Sequence, residues 1–410
     1  MLKKNLLMVA ALAWGAALSA QYVSEKNIRK TVYYLASDKL EGRGTGSKGE
    51  DKAAKYIAKS YKKAGLQPKG DNQTWYHHFT FTPSANPHST APAVGKTIKS
   101  RNVVGYLDNG APYTVVIGAH YDHLGMGHDH NSLEANSAGK IHNGADDNAS
   151  GVAGVLELAR YFSRNKVKEQ YNYLFICFSG EELGLVGSKR FAEFPTIDLK
   201  TVHFMVNMDM IGRLNPEGKL MVGGVGTAPD FVPLLERLQT DLVLAKDSSG
   251  VGPSDHTSFY LKNIPVLFFF TGQHTDYHKP SDDAHLVNYP GATKVVNLIA
   301  EVIQNLDKKP KLTFQETKNK TADTPAFKVT LGIMPDYVWE KEGVHVDGVT
   351  TGRPADKAGV QRGDVILGMG DMPVNTMEDY MQCLSKFQKG QSTTLKIKRG
   401  SEMMMLPLTF

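Results

Sequence analysis

Apolar residues along the chain fall into two kinds of run. YTVVI, YLFICF, FMVNM and VLFFF, at residues 113–117, 173–178, 204–208 and 266–270, are apolar with almost no alternation, as strands covered on both faces should be. Val152, Val155, Leu156, Ala159 and Phe162 instead recur at three- and four-residue spacing, which predicts a core-facing helix from about Ser150 to Ser163. Ser24 to Ala36 has a helical pattern. A further helix is expected from a Ser47/Glu50 capping box to Ala64, ended by Gly65 with Pro68 beyond. Strands alternating with helices predict an α/β unit over residues 21–306, a mostly parallel mixed sheet sandwiched by helices.

After Leu306 the pattern stops. Residues 307–325, DKKPKLTFQETKNKTADTP, are polar, lysine-rich and bracketed by prolines, the composition of a linker. Residues 326–410 form a second, smaller unit of short strands, one helix and many turns. At the other end, residues 1–20 place Lys3 and Lys4 before an apolar run from Leu6 to Leu18 and close on Ala17, Ser19 and Ala20. That is the pattern of a signal peptide, too short to span a membrane, and it predicts export to the periplasm or the medium. Cleavage is expected after Ser19 or Ala20, and no cysteine follows to carry a lipid anchor.

Composition is that of an ordinary globular protein, 41% hydrophobic and 22% charged over 410 residues. The formal charge of +5 falls to +3 without Lys3 and Lys4, which gives no argument for nucleic acid. Cys177 and Cys383 are read as unpaired, with Cys177 in the core.

In open α/β sheets ligands gather beyond the carboxyl ends of the strands. Four apolar runs here deliver chemistry to that edge: His120-Tyr121-Asp122-His123, Glu181-Glu182, Asp209 and Tyr277-His278. Asp146 opens the helix at 150 from the same side. Each residue alone is commonplace, whereas imidazoles and carboxylates at successive strand ends are the composition of a hydrolytic metal site. This donor set suits zinc better than a hard cation, with manganese and cobalt left open. The glycine-rich segment Leu40 to Gly46 is expected to be a flexible connection. The loop Gly125 to Lys140, with His128 and His130, is expected to be a solvated rim of the pocket, stray metal binding being the alternative.

The blocks GAHYDHLG, HNGADDNASG, SGEELGLVGS, NMDMIGR, GPSDHTSF and YHKPSDD, in that order, resemble the signature blocks of the co-catalytic di-zinc aminopeptidases, the secreted bacterial leucine-type exopeptidases and their relatives. The likeness covers residues 25 to 305. It implies two Zn2+ ions, one held by His120, Asp146 and Asp209 and the other by Asp146, Glu182 and His278, so that Asp146 bridges. It implies that Asp147 binds no metal and is joined to Asp146 by a cis peptide, and that Asp122 fixes His120 by accepting its other ring N–H. Glu181 would be the general base acting on a metal-bridging hydroxide, and Tyr277 would steady the oxyanion. Asp255 and His256 would support the site from behind. Pro253 stands where some relatives carry arginine, so substrate-carboxylate contacts are not carried over.

Residues 343 to 374, GVHVDGVTTGRPADKAGVQRGDVILGMGDMPV, resemble the PDZ modules of bacterial envelope proteases. The resemblance implies a carboxylate-binding loop at Leu331, Gly332 and Ile333, walled by a helix from Thr376 to Lys386, that takes a peptide end as an added strand. A groove filled by the chain's own residues is the alternative. The combined expectation is a zinc aminopeptidase acting on peptides with free N-termini. Glutaminyl cyclase, carboxypeptidase or dipeptidase chemistry on the same fold stays open. So does a peptide-binding adaptor whose peptidase half is only a scaffold.

Overall fold

The computed structural model describes residues 23–83, 96–128, 131–134, 136–307, 309–317, 329–336, 339, 341–349 and 352–410. The leader 1–20, His130 and much of the expected linker lie outside the described residues.

Nine strands form one mixed sheet: β1 (Gln67–Pro68), β2 (Tyr76–Phe81), β3 (Ile98–Leu107), β4 (Tyr113–His120), β5 (Tyr171–Phe178), β6 (Val202–Met208), β7 (Lys219–Gly223), β8 (Val243–Lys246) and β9 (Val266–Phe270). The order is β1-β3-β5-β4-β6-β9-β7-β8, with β2 also on β3. The four central strands β5, β4, β6 and β9 run parallel, while β3 and β7 join them antiparallel. All eight residues of β5 and all seven of β6 are buried, which is why neither alternates in polarity. Tyr173, Phe175 and Cys177 point into the core shared with α1 (Glu25–Leu35), α2 (Lys48–Ala64), α3 (Gly151–Phe162) and α7 (Tyr289–Leu306). Leu174, Ile176 and Phe178 point the other way, onto α4 (Val186–Glu193) and α6 (His256–Tyr260). A short helix α5 (Phe231–Arg237) completes the covering layer.

The capping box expected at α2 is only half made. Ser47 Oγ accepts from Glu50 N, but the Glu50 carboxylate turns inward, taking Gly46 N at 2.6 Å and the hydroxyls of Ser100 and Ser179. Burial raises its pKa to about 7, so this acid is held beneath the strand end that leads to Glu181 rather than spent on the helix.

Part of the expected linker lies on the N-terminal unit. Leu312 is buried in the main core, Gln315 N donates to Thr227 O, and Leu312 N donates to His203 Nδ1 at 3.2 Å. With Nδ1 accepting, Nε2–H faces the Tyr171 hydroxyl at 2.6 Å, which in turn donates to Leu306 O. Burial, then Lys311, lowers the His203 pKa to about 4, and burial lowers that of His256 to about 3. Both histidines are neutral when folded but protonate near 6.5 when unfolded, so their contribution is present above 6.5 and lost as pH falls toward 4. Urea unfolding should therefore find the protein weaker at pH 5 than at pH 7.5 by about 2 kcal/mol per histidine, and His203→Gln should flatten the slope.

The C-terminal unit has its own core, built on Leu331, Val346, Ile366, Leu395, Ile397 and Leu408. Its sheet runs β10 (Ile333–Pro335), β11 (Val344–Val349), β12 (Val365–Met369), β14 (Ser392–Arg399), β15 (Glu402–Thr409), with β13 (Met372–Pro373) on β12. Helices α8 (Pro354–Lys357) and α9 (Met377–Ser385) complete it, α9 opened by a capping box of Thr376 and Asp379. Leu331 is buried and its carbonyl accepts from Ala355 N, while Ile333 opens the edge strand β10.

Candidate metal centre

Because the central strands are parallel and in register, with His120 opposite Phe178 and Met208 opposite Phe269, their carboxyl ends meet at one edge. His120 is the last residue of β4, Glu181 and Glu182 follow β5, Asp209 follows β6, and His278 closes the loop after β9. All five are brought together. Their ring is completed by Asp147, whose two oxygens face different neighbours. Oδ1 lies 3.3 Å from His120 Nε2, which is itself 3.2 Å from Asp209 Oδ1. Oδ2 lies 3.3 Å from His278 Nε2, which is 3.1 Å from Glu182 Oε2.

Asp146 does not occupy the place expected of it. The NH groups of Asp146 and Asp147 both donate to Asp282 Oδ2, at 2.9 and 3.0 Å, which fixes the turn so that successive side chains diverge. Asp146 is sent backward, with Oδ1 accepting from Gly212 N at 2.6 Å and Oδ2 standing 3.2 Å from His274 Nε2. Asp147 is sent into the ring. The cis peptide likewise lies one residue later than expected, between Asp147 and Asn148. Asn148 ties this turn to the next ligand-bearing segment, donating to Met208 O and accepting from Met210 N on either side of Asp209.

A second correction concerns Asp122. His120 Nδ1 donates to the main-chain oxygen of Asp122 at 3.2 Å, while the carboxylate is 3.8 Å away. That carboxylate accepts instead from Glu181 N and the Thr45 hydroxyl, so it positions the chain at Glu181. His123, passed over in the sequence, belongs to the site: its Nδ1 is 2.7 Å from Glu182 Oε1, and it groups with Asp147 and Glu182. Asp255 and His256 are fully buried behind the site, His256 stacked on Phe268 at 4.4 Å. Ser254 beside them donates to Asp209 Oδ2 at 2.8 Å. Tyr277 stacks on His278 at 3.9 Å and packs against Met210, Met221, Phe268 and Phe270.

The electrostatics match a cation site. Burial opposes charge on every member, yet neighbouring carboxylates raise the pKa of His120 and His278 well above the usual range, and the histidines lower those of Asp147 and Glu182. Glu181 is pushed the other way, well above an ordinary carboxylic acid, by burial and by the charges of Asp209, Glu182 and Asp255. Two donor groups result, His120–Asp147–Asp209 and His123–Asp147–Glu182, each with ligand atoms within 4.8 Å of one another and both using Asp147. Nitrogen and oxygen donors converging in this way fit zinc.

The floor of the site is a residue that composition hid. Arg43, in the segment expected to be flexible, is fully buried and donates to Tyr121 O, Leu35 O, Asn143 O and Gly144 O at 2.7–2.9 Å. The guanidinium thus joins the turn after β4 to the turn that carries Asp147. Gly42 beside it has φ +67°, and a Cβ there would lie 2.4 Å from His142 O, so the approach requires glycine. Burial lowers the Arg43 pKa to about 10, against the opposing pull of Asp147, Asp122, Asp282 and Glu182. Arg43→Met, which leaves four buried carbonyls without their donor, is expected to destabilise the chain by about 3–5 kcal/mol in urea unfolding.

Comparison with known proteins assigns these parts. The model of peptidase family M28 matches residues 102–303, and that of the PDZ domain matches residues 312–409. Residues 102–303 belong to peptidase family M28, and a PDZ domain follows them. The chain is 30% identical over 211 residues to a "probable lipoprotein aminopeptidase", LpqL of Mycobacterium tuberculosis, covering 47% of this chain and 38% of that protein. It thus spans about two fifths of that relative's length. Among solved structures, the zinc aminopeptidase BSAP of Bacillus subtilis aligns over 70% of this chain and 96% of its own, with a TM-score of 0.54 and 19% identity. Porphyromonas gingivalis glutaminyl cyclase aligns over 70% and 99%, with a TM-score of 0.56 and 16% identity. These two share the fold of the M28 domain here. Among the described residues no helix is long and apolar enough to cross a membrane.

Proposed function

We propose that this M28 domain is an exported aminopeptidase that removes N-terminal residues from peptides, with two zinc ions that its two donor groups, both using Asp147, would hold. The observation that carries this reading is the division of the Asp147 carboxylate, one oxygen toward His120 and Asp209, the other toward Glu182 and His278. Asp147 takes over the bridging role that the resemblance placed one residue earlier. Zinc held by these donors would supply a Lewis acid for the scissile carbonyl and would lower the pKa of water toward neutrality. Glu181 takes the proton from the attacking water and passes it to the leaving amine. The Asp122 carboxylate holds Glu181 by its main-chain NH. Tyr277, stacked on His278, donates its O–H to the developing oxyanion.

Export by residues 1–20, to the periplasm or beyond, is part of this reading, supported by the leader's composition. The PDZ domain takes a peptide terminus along β10, beneath Leu331, Gly332 and Ile333. Glutaminyl cyclase is the second reading, favoured by the shared fold of the Porphyromonas enzyme. One assay separates them. Leucyl-amide should be hydrolysed, N-acetyl-leucyl-amide should resist, and a chelator should stop the reaction. Release of pyroglutamyl product from an N-terminal glutamine peptide, without free amino acid, would reverse the assignment.

A further inference from the structure

Within the loop from Gly125 to Lys140, residues 131–133 reach the metal centre as a structural part rather than as a rim. Four contacts at hydrogen-bonding distance run from residues 131–133 to His278 and Glu182, one of them from Ser132 Oγ to the main-chain oxygen of His278 at 3.3 Å. The main-chain oxygen of Asn131 lies 2.9 Å from His278 Nδ1, the ring nitrogen that faces away from Asp147. Leu133 N donates to the main-chain oxygen of His278 at 3.0 Å. The Asn131 side chain donates from Nδ2 to Glu182 O at 2.8 Å. The same three residues therefore hold His278 at its ring and its backbone, and hold Glu182 at its backbone.

Each contact has a chemical consequence. An imidazole that donates Nδ1–H to a carbonyl presents Nε2 as its lone pair, in a fixed ring orientation, and ligand histidines need both. His278 also has φ 54°, the left-handed region that a side chain with a Cβ enters reluctantly, and the bond from Leu133 N to its carbonyl holds that conformation. The segment is itself anchored. His142 Nδ1 lies 2.9 Å from Lys140 O and donates to it, so its Nε2 accepts the Ser132 hydroxyl at 2.7 Å. Ser132 Oγ accepts in turn from Glu134 N at 3.1 Å. His142 is fully buried and opens the run that leads to Asp147, so the anchor and the bridging carboxylate share one stretch of chain.

We propose that Asn131, Ser132 and Leu133 are positioning residues for one cation, the one that Asp147, Glu182 and His278 would hold, and that they leave the His120–Asp209 cation untouched. This rests on the two-zinc reading above. Loss of the clamp should act on one ion only, which a general loss of folding would not do.

The test uses the full chain loaded with zinc, dialysed against a graded chelator, with bound zinc counted per chain. Asn131→Gly/Ser132→Gly removes both side-chain anchors and leaves the Asn131 carbonyl on a loose segment. The wild type should retain two ions, and the variant should give up its second ion at about 10- to 100-fold lower chelator strength while holding the first. Cobalt-loaded samples should show the change in the visible spectrum of one site alone. Ser132→Thr alone, which keeps the hydroxyl, should give the wild-type curve. Thermal unfolding of the metal-free double variant should match that of the metal-free wild type. Equal retention of both ions by the double variant overturns the clamp, as does parallel loss of both. A wild type that binds a single ion overturns the two-zinc reading itself, a result visible before any variant is made.

Discussion

Asp147→Asn should lower kcat/KM by at least about a thousand-fold, roughly 4 kcal/mol of transition-state stabilisation, and should strip zinc from the chain on dialysis. The reason is that a single carboxylate serves both donor groups. An amide has one oxygen to offer and an NH2 in place of the other, so it can face His120 or His278 but cannot neutralise charge on both sides. Asp146→Asn is the control that distinguishes the two neighbours. The amide oxygen can still accept from Gly212 N, and only the contact to His274 is weakened, so zinc content should hold and activity should fall by less than about tenfold. The opposite ranking of the two variants would restore Asp146 as the bridge.

Glu181→Gln separates binding from turnover. Glu181 belongs to neither of the two donor groups, so its replacement should leave zinc near the wild-type content. Turnover should nevertheless drop by about 10^2- to 10^4-fold, the usual contribution of a positioned general base. KM for a leucyl-amide should change little, because glutamine preserves shape and removes only the proton acceptor. A variant that keeps full activity would remove the base assignment, and one that loses zinc would make Glu181 part of the cation cage.

The strands that bear the site were legible because burial on both faces leaves an unbroken apolar run, and Val266 to Phe270 begins and ends where its composition does. Their parallel register then carried His120, Glu182, Asp209 and His278 to one edge. The choice between Asp146 and Asp147 was not legible. Adjacent identical residues offer no period, and the turn is decided by the Asp282 carboxylate, 135 residues away from Asp147. Arg43 stayed hidden for a related reason: its partners are main-chain oxygens, which leave no mark on side-chain composition. The loop at 131–133 reads as solvated for the same cause, since its contacts to His278 and Glu182 run largely through backbone atoms.

Arg43 also bears on how far this protein can be trimmed with its site intact. The M28 match begins at residue 102, whereas the guanidinium beneath the site, the Thr45 hydroxyl on Asp122 and the Glu50 carboxylate under Ser179 all come earlier in the chain. A version trimmed to residues 102–303 would keep every donor of both cation groups and yet lack the keystone that sets their two turns side by side. Whoever transplants this cluster of side chains into another scaffold must carry α1 and α2 along with it.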